Sequence, residues 1–198
     1  MCKKKVVAVF DFDGTITTKD TLLEFIIFAC GKWKFLAGFL LHTPWLCLMK
    51  LHLYPNWKCK ERIFSWFFKG MAYNAFADLG QSFSERADGI LRQSTIRLVN
   101  KHMKEGAAVY VVSASIEEWV RPMCSKFGVA DVLGTRIDVD DQGLLTGRFL
   151  TGNCYGQEKV RRLLEIEPQR NEYYLYAYGD SRGDREMLGF ADKGTMVK

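Results

Sequence analysis

The chain of 198 residues is 48% hydrophobic and 26% charged, which excludes a disordered protein and allows a core domain with a smaller insertion. Its formal net charge of +5 favours anionic ligands or an anionic surface. No stripe of interleaved basic and aromatic residues indicates a nucleic-acid partner. Six scattered cysteines predict reduced thiols in a cytoplasmic protein, and the apolar run near the start is too short to predict a signal peptide.

The predicted strands are short apolar runs separated by helical patterns. Val6 to Phe10 leads into DFDGT, Ala107 to Val112 into SAS, and Tyr173 to Tyr178 into GDSRGD, while GTMVK is typical of the start of one more strand. Helices are predicted at IEEWVRPMCSKFG, where Pro122 should break or bend the helix, and at GQEKVRRLLEI. This alternation predicts a parallel sheet, and RIDVDDQGLLTGRFL predicts a hairpin beside it.

The interval from Thr21 to Arg97 contains no clear strand and is too long for a crossover, so it predicts an inserted helical domain. Within it, Phe35 to Met49 carries no formal charge and contains Pro44. One interpretation is a buried helix pair, and another is a surface at a membrane interface. Fifteen residues are fewer than the ~20 that a transmembrane helix needs, which leaves a span as a third interpretation.

Polar groups follow each predicted strand, and the carboxyl ends of parallel strands meet at one edge of a sheet. These residues are Asp11 and Asp13, Ser113 and Ser115, and Asp180 and Asp184, with Lys159 at the start of the helix before the third strand. Converging carboxylates suit Mg²⁺, whereas hydroxyl, N–H and ammonium groups suit a phosphate. Together they predict phosphoryl transfer through an aspartyl-phosphate.

The sequences DFDGT, VVSAS, the lysine of CYGQEKV, and YGDSRGD resemble, in order and spacing, the four motifs of the haloacid dehalogenase superfamily of phosphohydrolases. The layout is most similar to the phosphoserine-phosphatase-like branch, which has a helical cap between the first and second motifs. The resemblance implies an α/β fold with a Rossmann-like three-layer core, a parallel sheet and an inserted all-helical cap. Residues 1–20 and 98–198 would form the core and residues 21–97 the cap.

The resemblance also implies a role for each motif residue. Asp11 would be the nucleophile, and Asp13 the general acid that protonates the leaving oxygen and then activates water. Mg²⁺ would be bound by Asp11, by the backbone carbonyl of Asp13, and by Asp180. The phosphoryl group would be bound by Phe12, Ser113, Ala114 and Lys159. Asp184 would hold the metal water or Lys159, and Gly14 would allow a tight turn.

Each assignment has a structural alternative. Asp11 and Asp13 are also typical of turns and helix caps, Ser113 of a helix N-cap, Lys159 of a solvated surface, and Asp184 of a surface turn. Lys58, Lys60 and Arg62 would be anion contacts or a solvated helix face.

Substrate choice is expected to lie in the cap, because the core supplies groups for phosphate alone. Asp20 lies where family members that hydrolyse phosphoserine have a Glu contacting the substrate amine, and its side chain is one methylene shorter. The apolar cap with its basic flanks also resembles, more loosely, the phosphatidylglycerophosphate phosphatases.

These features favour a phosphorylated lipid head group or another amphiphile as substrate, with peripheral membrane contact through the cap. A soluble metabolite such as phosphoserine, transfer of the phosphoryl group to an alcohol, and a non-catalytic phosphate-binding module are alternatives. The oligomeric state is left open.

Overall fold

A computed structural model of the protein describes residues 4–197, and its regular elements alternate as the sequence predicts. The strands are β1 (Lys5–Phe10), β2 (Ala108–Ile116), β3 (Asp131–Thr135), β4 (Ile137–Val139), β5 (Leu145–Phe149), β6 (Tyr173–Gly179) and β7 (Lys193–Met196). The helices are α1 (Thr21–Cys30), α2 (Lys32–Lys50), α3 (Asn56–Phe68), α4 (Tyr73–Arg86), α5 (Gln93–Lys104), α6 (Glu117–Ser125), α7 (Gln157–Ile166) and α8 (Arg185–Phe190).

The main sheet is parallel and has the strand order β3-β2-β1-β6-β7. Its central strand, β1, is buried because Val7 to Phe10 are apolar on both faces. The chain adds β2 and β3 on one side of β1 and β6 and β7 on the other, so the strand order reverses beside β1. Phe10 pairs with Val111 and with Tyr178, which brings the carboxyl ends of three strands to this switch point. The predicted α/β fold with a parallel sheet is confirmed.

The core differs from the sequence prediction in two places. Helix α6 continues through Pro122 to Ser125 instead of breaking there. Its neighbours Trp119, Val120, Met123 and Cys124 are buried, so core packing holds the helix despite the lost backbone donor. Strand β3 went unpredicted, because its five residues carry too few apolar side chains to stand out from the loop before them.

The uncharged segment Phe35 to Met49 lies in a single helix, α2, which runs through Pro44. Of its residues, only Gly38 and His42 are buried, so the buried-helix-pair interpretation is wrong. In the part of the chain that the structure describes, no helix is long and apolar enough to cross a membrane.

The insertion is attached to the core by aromatic packing and by the hairpin. Phe25 of α1 stacks on Trp119 of α6, with ring centroids 4.5 Å apart. The predicted hairpin is formed by β4 and β5, but it is a separate sheet that bonds to the α3–α4 connection, where Leu145 N donates to Met71 O at 2.9 Å. The predicted domain boundary between 97 and 98 falls within α5, so the helix passes from insertion to core without interruption.

Candidate active site

The carboxyl ends of β1, β2 and β6 open into a cavity of about 310 Å³. Asp11 and Asp13 contribute to its wall from the end of β1, Ala114 from β2, and Asp180 from the end of β6. Lys159 reaches the same cavity from the first turn of α7. The parallel topology therefore brings together residues that lie far apart along the chain.

Lys159 is a buried ammonium between two carboxylates. Its Nζ contacts Asp11 Oδ1 and donates to Asp184 Oδ1 at 2.6 Å, and its side chain is 2% exposed. Asp184 is also fully buried, so the alternatives of a solvated lysine and a surface-turn aspartate are both wrong. Two partners of opposite charge outweigh the burial penalty, which favours the charged form of this lysine.

In this buried cluster the pKa values of Asp11 and Asp184 shift in opposite directions. Burial raises the pKa of Asp11 to about 7, against the lowering effect of Lys159 and with a contribution from the charge of Asp184. The pKa of Asp184 is lowered, because the Lys159 charge and hydrogen bonds from Lys159 and Ser181 overcome its burial. Lys159 keeps a raised pKa, since Asp11 and Asp184 together overcome its desolvation.

Three carboxylates form a cluster that fits a divalent cation. Oxygens of Asp11, Asp180 and Asp184 lie within 4.8 Å of one another. Asp180 Oδ1 is buried and has no hydrogen-bond partner among the described residues, and burial together with Asp184 raises the pKa of Asp180. Such an all-oxygen set with an unsatisfied acceptor suits Mg²⁺.

Gly14 is required beside this cluster. Its φ of +81° is unfavourable for other residues, and an added Cβ would lie well inside 3.0 Å of Asp180 Oδ2. The predicted tight turn therefore brings the backbone directly against the acid cluster.

Asp13 turns its carboxylate away from the acid cluster and towards α1. Its Oδ1 accepts from Thr21 N at 2.7 Å and from Thr21 Oγ1 at 2.6 Å, and its Oδ2 accepts from Ser115 Oγ at 2.5 Å. Burial and then the charge of Asp20 raise the pKa of Asp13, against these hydrogen bonds. A raised pKa is the property that a general acid requires.

The predicted phosphate-binding residues differ in their access to the cavity. Ala114 lines it, whereas Ser113 is fully buried and its Oγ accepts from Ser115 N at 2.9 Å. Phe12 is fully buried in the core and does not line the cavity, so the predicted phosphate contact from this residue is not formed here. Asp20 lines the cavity and also caps α1, where its Oδ1 accepts from Leu22 N at 3.0 Å.

A family model for haloacid dehalogenase-like hydrolases matches residues 8–189, a span that includes Asp11, Lys159 and Asp180. The chain belongs to this family.

Relatives of this hydrolase align with all or part of its sequence. Protein CicA of Caulobacter vibrioides is 32% identical over 200 residues, which is all of this chain and 88% of that protein. A probable phosphatase of Mycobacterium tuberculosis is 35% identical over 117 residues, which is 58% of this chain and 37% of the relative.

Solved structures share the fold of this hydrolase at low sequence identity. A Bordetella pertussis Tohama I protein of unknown function superposes with a TM-score of 0.80 at 18% identity, over 94% of this chain and 87% of that one. A phospho-aspartyl intermediate analogue of phosphoserine phosphatase superposes with a TM-score of 0.64 at 21% identity, over 96% and 84%.

Some residues that contact the site escaped the sequence analysis. Thr15 donates to Asp11 Oδ2 at 3.2 Å, and its place directly after Gly14 in DFDGT was the available signal. Arg92 donates to the carbonyl of Gly14 at 2.9 Å from a position 78 residues away, which no local pattern indicates. Asn56 and Tyr155 also line the cavity and come from the insertion and from the loop before α7.

Proposed function

We propose that the chain is a Mg²⁺-dependent phosphomonoester hydrolase that forms an aspartyl-phosphate on Asp11. The observation that carries this proposal is the buried Asp11 carboxylate, which faces the cavity while contacting Lys159 and lying within 4.8 Å of Asp180 and Asp184. Membership of a hydrolase family and a relative named as a probable phosphatase support it.

The first step transfers the phosphoryl group to the enzyme. An oxygen of Asp11 attacks phosphorus, the bond from phosphorus to the leaving oxygen breaks, and Asp13 donates a proton to that oxygen. Lys159 contacts Asp11 and offsets negative charge that develops beside it, and Ala114, which lines the cavity, offers its backbone N–H as a hydrogen-bond donor.

The second step regenerates the enzyme. Asp13, now ionised, accepts a proton from a water molecule as the water oxygen attacks phosphorus. The bond between phosphorus and Asp11 then breaks, which restores the Asp11 carboxylate and releases inorganic phosphate. Mg²⁺ held by Asp11, the Asp13 carbonyl and Asp180 would supply positive charge beside the phosphoryl oxygens, with Asp184 supporting the metal water or Lys159.

The surroundings of the cavity favour an amphiphilic phosphate, such as a phosphorylated lipid head group. A second cavity of about 650 Å³, lined by Trp57, Phe149 and Leu150, shares Asn56 and Tyr155 with the catalytic one. An apolar group on the leaving alcohol would enter this space. Phosphoserine remains the second candidate, because Asp20 lines the catalytic cavity and offers a carboxylate to an amine.

The experiment that tests the chemistry compares Asp11→Asn with the wild-type enzyme on an aryl phosphate in Mg²⁺. We expect a loss of several orders of magnitude in kcat, because the amide has the same shape but cannot form the covalent intermediate. Chelation of Mg²⁺ should abolish wild-type activity, and restoring the metal should recover it.

Asp141→Asn is the matched control, since Asp141 is exposed in the hairpin turn. An Asp11→Asn protein with a tenth of wild-type activity would remove Asp11 from the nucleophile role. A wild-type protein that binds phosphate without turnover would support the non-catalytic module instead.

A further inference from the structure

Helix α2 presents an apolar stripe to solvent. Trp33 is 84% exposed and Leu40 76% exposed, and Leu51, just beyond the helix, is 67% exposed. The other exposed residues of the stripe are Leu36, Ala37, Leu41, Pro44, Cys47 and Leu48. They recur every three to four residues, which places them along one side of the helix for its whole length.

The other side of α2 packs against α3. An added Cβ on Gly38 would lie inside 3.0 Å of Phe67 and Trp66, so the two helices approach closely there. His42 is buried on the same side and its Nδ1 bonds to the carbonyl of Gly38 at 2.7 Å. The orientation of α2 is therefore fixed by packing, and the outer stripe remains uncovered within the described residues.

The positive charge of the chain is concentrated around this stripe. Residues 25–60 contain five lysines and no Asp, Glu or Arg, so this segment carries +5, the same as the formal net charge of the whole chain. Lys32, Lys34 and Lys50 belong to α2 itself, whereas Lys58 and Lys60 belong to α3 and Lys60 lines the catalytic cavity. The rest of the chain is electrically balanced, which makes the insertion one cationic end of the molecule.

Two tryptophans, Trp45 of α2 and Trp57 of the neighbouring α3, have cations over their rings. Lys58 Nζ is 5.4 Å from the ring centre of Trp57, and the Arg62 guanidinium is 4.1 Å from that of Trp45. Trp57 is half exposed on α3. Tryptophan and lysine together are typical of the boundary between acyl chains and head groups.

We propose that the α2 stripe is a docking surface for an anionic phospholipid membrane. The helix would lie in the plane of the interface, with Trp33, Leu36 and Leu40 among the acyl chains. The α2 lysines, Lys32, Lys34 and Lys50, would lie at the phosphates. Exposed apolar surface of this extent marks an interaction site in soluble proteins. The proposal concerns a surface outside the catalytic residues and stands whether or not Asp11 is the nucleophile.

A second copy of this chain fits the surface less well than a membrane. A two-fold interface brings the same patch of both copies together. Here it would oppose the three lysines of α2 in each copy, with no carboxylate on either helix, which disfavours association. An anionic lipid surface supplies the missing negative charge.

The test is co-sedimentation with vesicles of phosphatidylcholine alone and of phosphatidylcholine with a quarter phosphatidylglycerol. We expect binding to the anionic vesicles at low salt and weaker binding as salt rises, because the lysine contribution is screened. Leu40→Glu should lower the partition coefficient at least tenfold. The matched control Met196→Glu introduces the same charge at a half-exposed apolar residue of β7 and should leave binding within about twofold.

A second measurement does not depend on any variant. Tryptophan fluorescence of the wild-type protein should be quenched by lipids with brominated acyl chains, as Trp33 enters the bilayer. Wild-type protein that stays in the supernatant with anionic vesicles, or Leu40→Glu that binds as wild type, overturns the proposal. A concentration-dependent dimer that Leu40→Glu dissociates, without vesicle binding, assigns the stripe to a second copy instead.

Discussion

At the scale of single residues, the ionisation of the carboxylates in the site depends on one buried cation. Lys159 lies between Asp11 and Asp184, and all three side chains are almost completely buried. Burial alone disfavours every one of these charges. Lys159 opposes that penalty for both carboxylates, and the carboxylates oppose it for Lys159. Hydrogen bonds from Ser181 N and Oγ, both 2.9 Å from Asp184 Oδ2, keep that carboxylate ionised and in place.

Lys159→Met tests this dependence. Removing the ammonium leaves two buried carboxylates without their cation, and we expect a loss of about 3–5 kcal/mol in the free energy of unfolding at pH 8. The pKa values of Asp11 and Asp184 should rise in the variant. A carboxyl with a raised pKa binds its proton more tightly in the folded state than in the unfolded state. The variant therefore loses unfolding free energy as the pH increases through this range, and regains it in acid, where both carboxyls are protonated.

The measurement is urea unfolding in EDTA at pH 8 and at pH 5, where the difference between variant and wild type should shrink. Lys101→Met is the control, because the Lys101 side chain is 66% exposed and its pairing with Glu105 at 3.9 Å contributes little. An equal loss at both pH values would show that packing of the lysine stem, and not its charge, stabilises the site.

At the scale of elements, the insertion is held to the core where α4 crosses α6. Gly80 of α4 lies against the backbone of Glu118, and an added Cβ would come well inside 3.0 Å of the Glu118 carbonyl oxygen. Phe76 of the same helix meets Trp119 edge to face, with ring centroids 6.3 Å apart. The close backbone approach allows these larger side chains to interlock.

Gly80→Ala should therefore destabilise the fold although alanine favours helices. The propensity gain is about 1 kcal/mol, whereas overpacking against a backbone atom costs about 1–3 kcal/mol and often more. We expect a net loss of stability in urea unfolding. Gly89→Ala is the matched control, because nothing lies within 4 Å of its added Cβ. A Gly80→Ala protein as stable as wild type would mean that the two helices are free to separate.

At the scale of the whole molecule, α3 connects the catalytic cavity to the cationic face of the insertion. Its first residue, Asn56, lines both the catalytic cavity and the apolar one beside it. Trp57 and Glu61 line the apolar cavity and also a groove of about 600 Å³ beside α2. The three spaces share walls, so a substrate with an apolar tail has a continuous surface to follow from the phosphate site.

This arrangement predicts a preference for acylated phosphates. We expect kcat/KM for a hexanoyl ester of glycerol phosphate to exceed that for glycerol phosphate at least tenfold, since two methylenes removed from water contribute about 1.6 kcal/mol. Trp57→Ala should reduce this advantage and leave glycerol phosphate hydrolysis unchanged. Both substrates are used below micelle concentrations, which separates recognition from membrane docking.

Trp33→Ala serves as the control here, because Trp33 is exposed on α2 away from the apolar cavity. A higher kcat/KM for phosphoserine than for the acylated phosphate would contradict the amphiphile and favour the soluble metabolite.

The sequence by itself determined the core strands and the order of the polar groups at their ends. Val6 to Phe10 is a continuous apolar run followed at once by Asp11 and Gly14, and such local patterns are sufficient to predict a buried strand and a turn. Tyr173 to Tyr178 followed by Asp180 has the same pattern, whereas the role of Lys159 followed from the resemblance of the four motifs taken together.

Only the tertiary structure decided how these polar groups are arranged and which surfaces remain open. The carboxylate of Asp184 joins Asp11 and Asp180, while that of Asp13 binds Thr21, because the strand ends converge at distances that no spacing along the chain encodes. The apolar character of α2 likewise extends all round the helix, so the sequence could not tell its inner side from its outer one. The packing of Gly38 against α3 determines which side of α2 faces the protein, and it leaves Trp33 and Leu40 exposed to solvent.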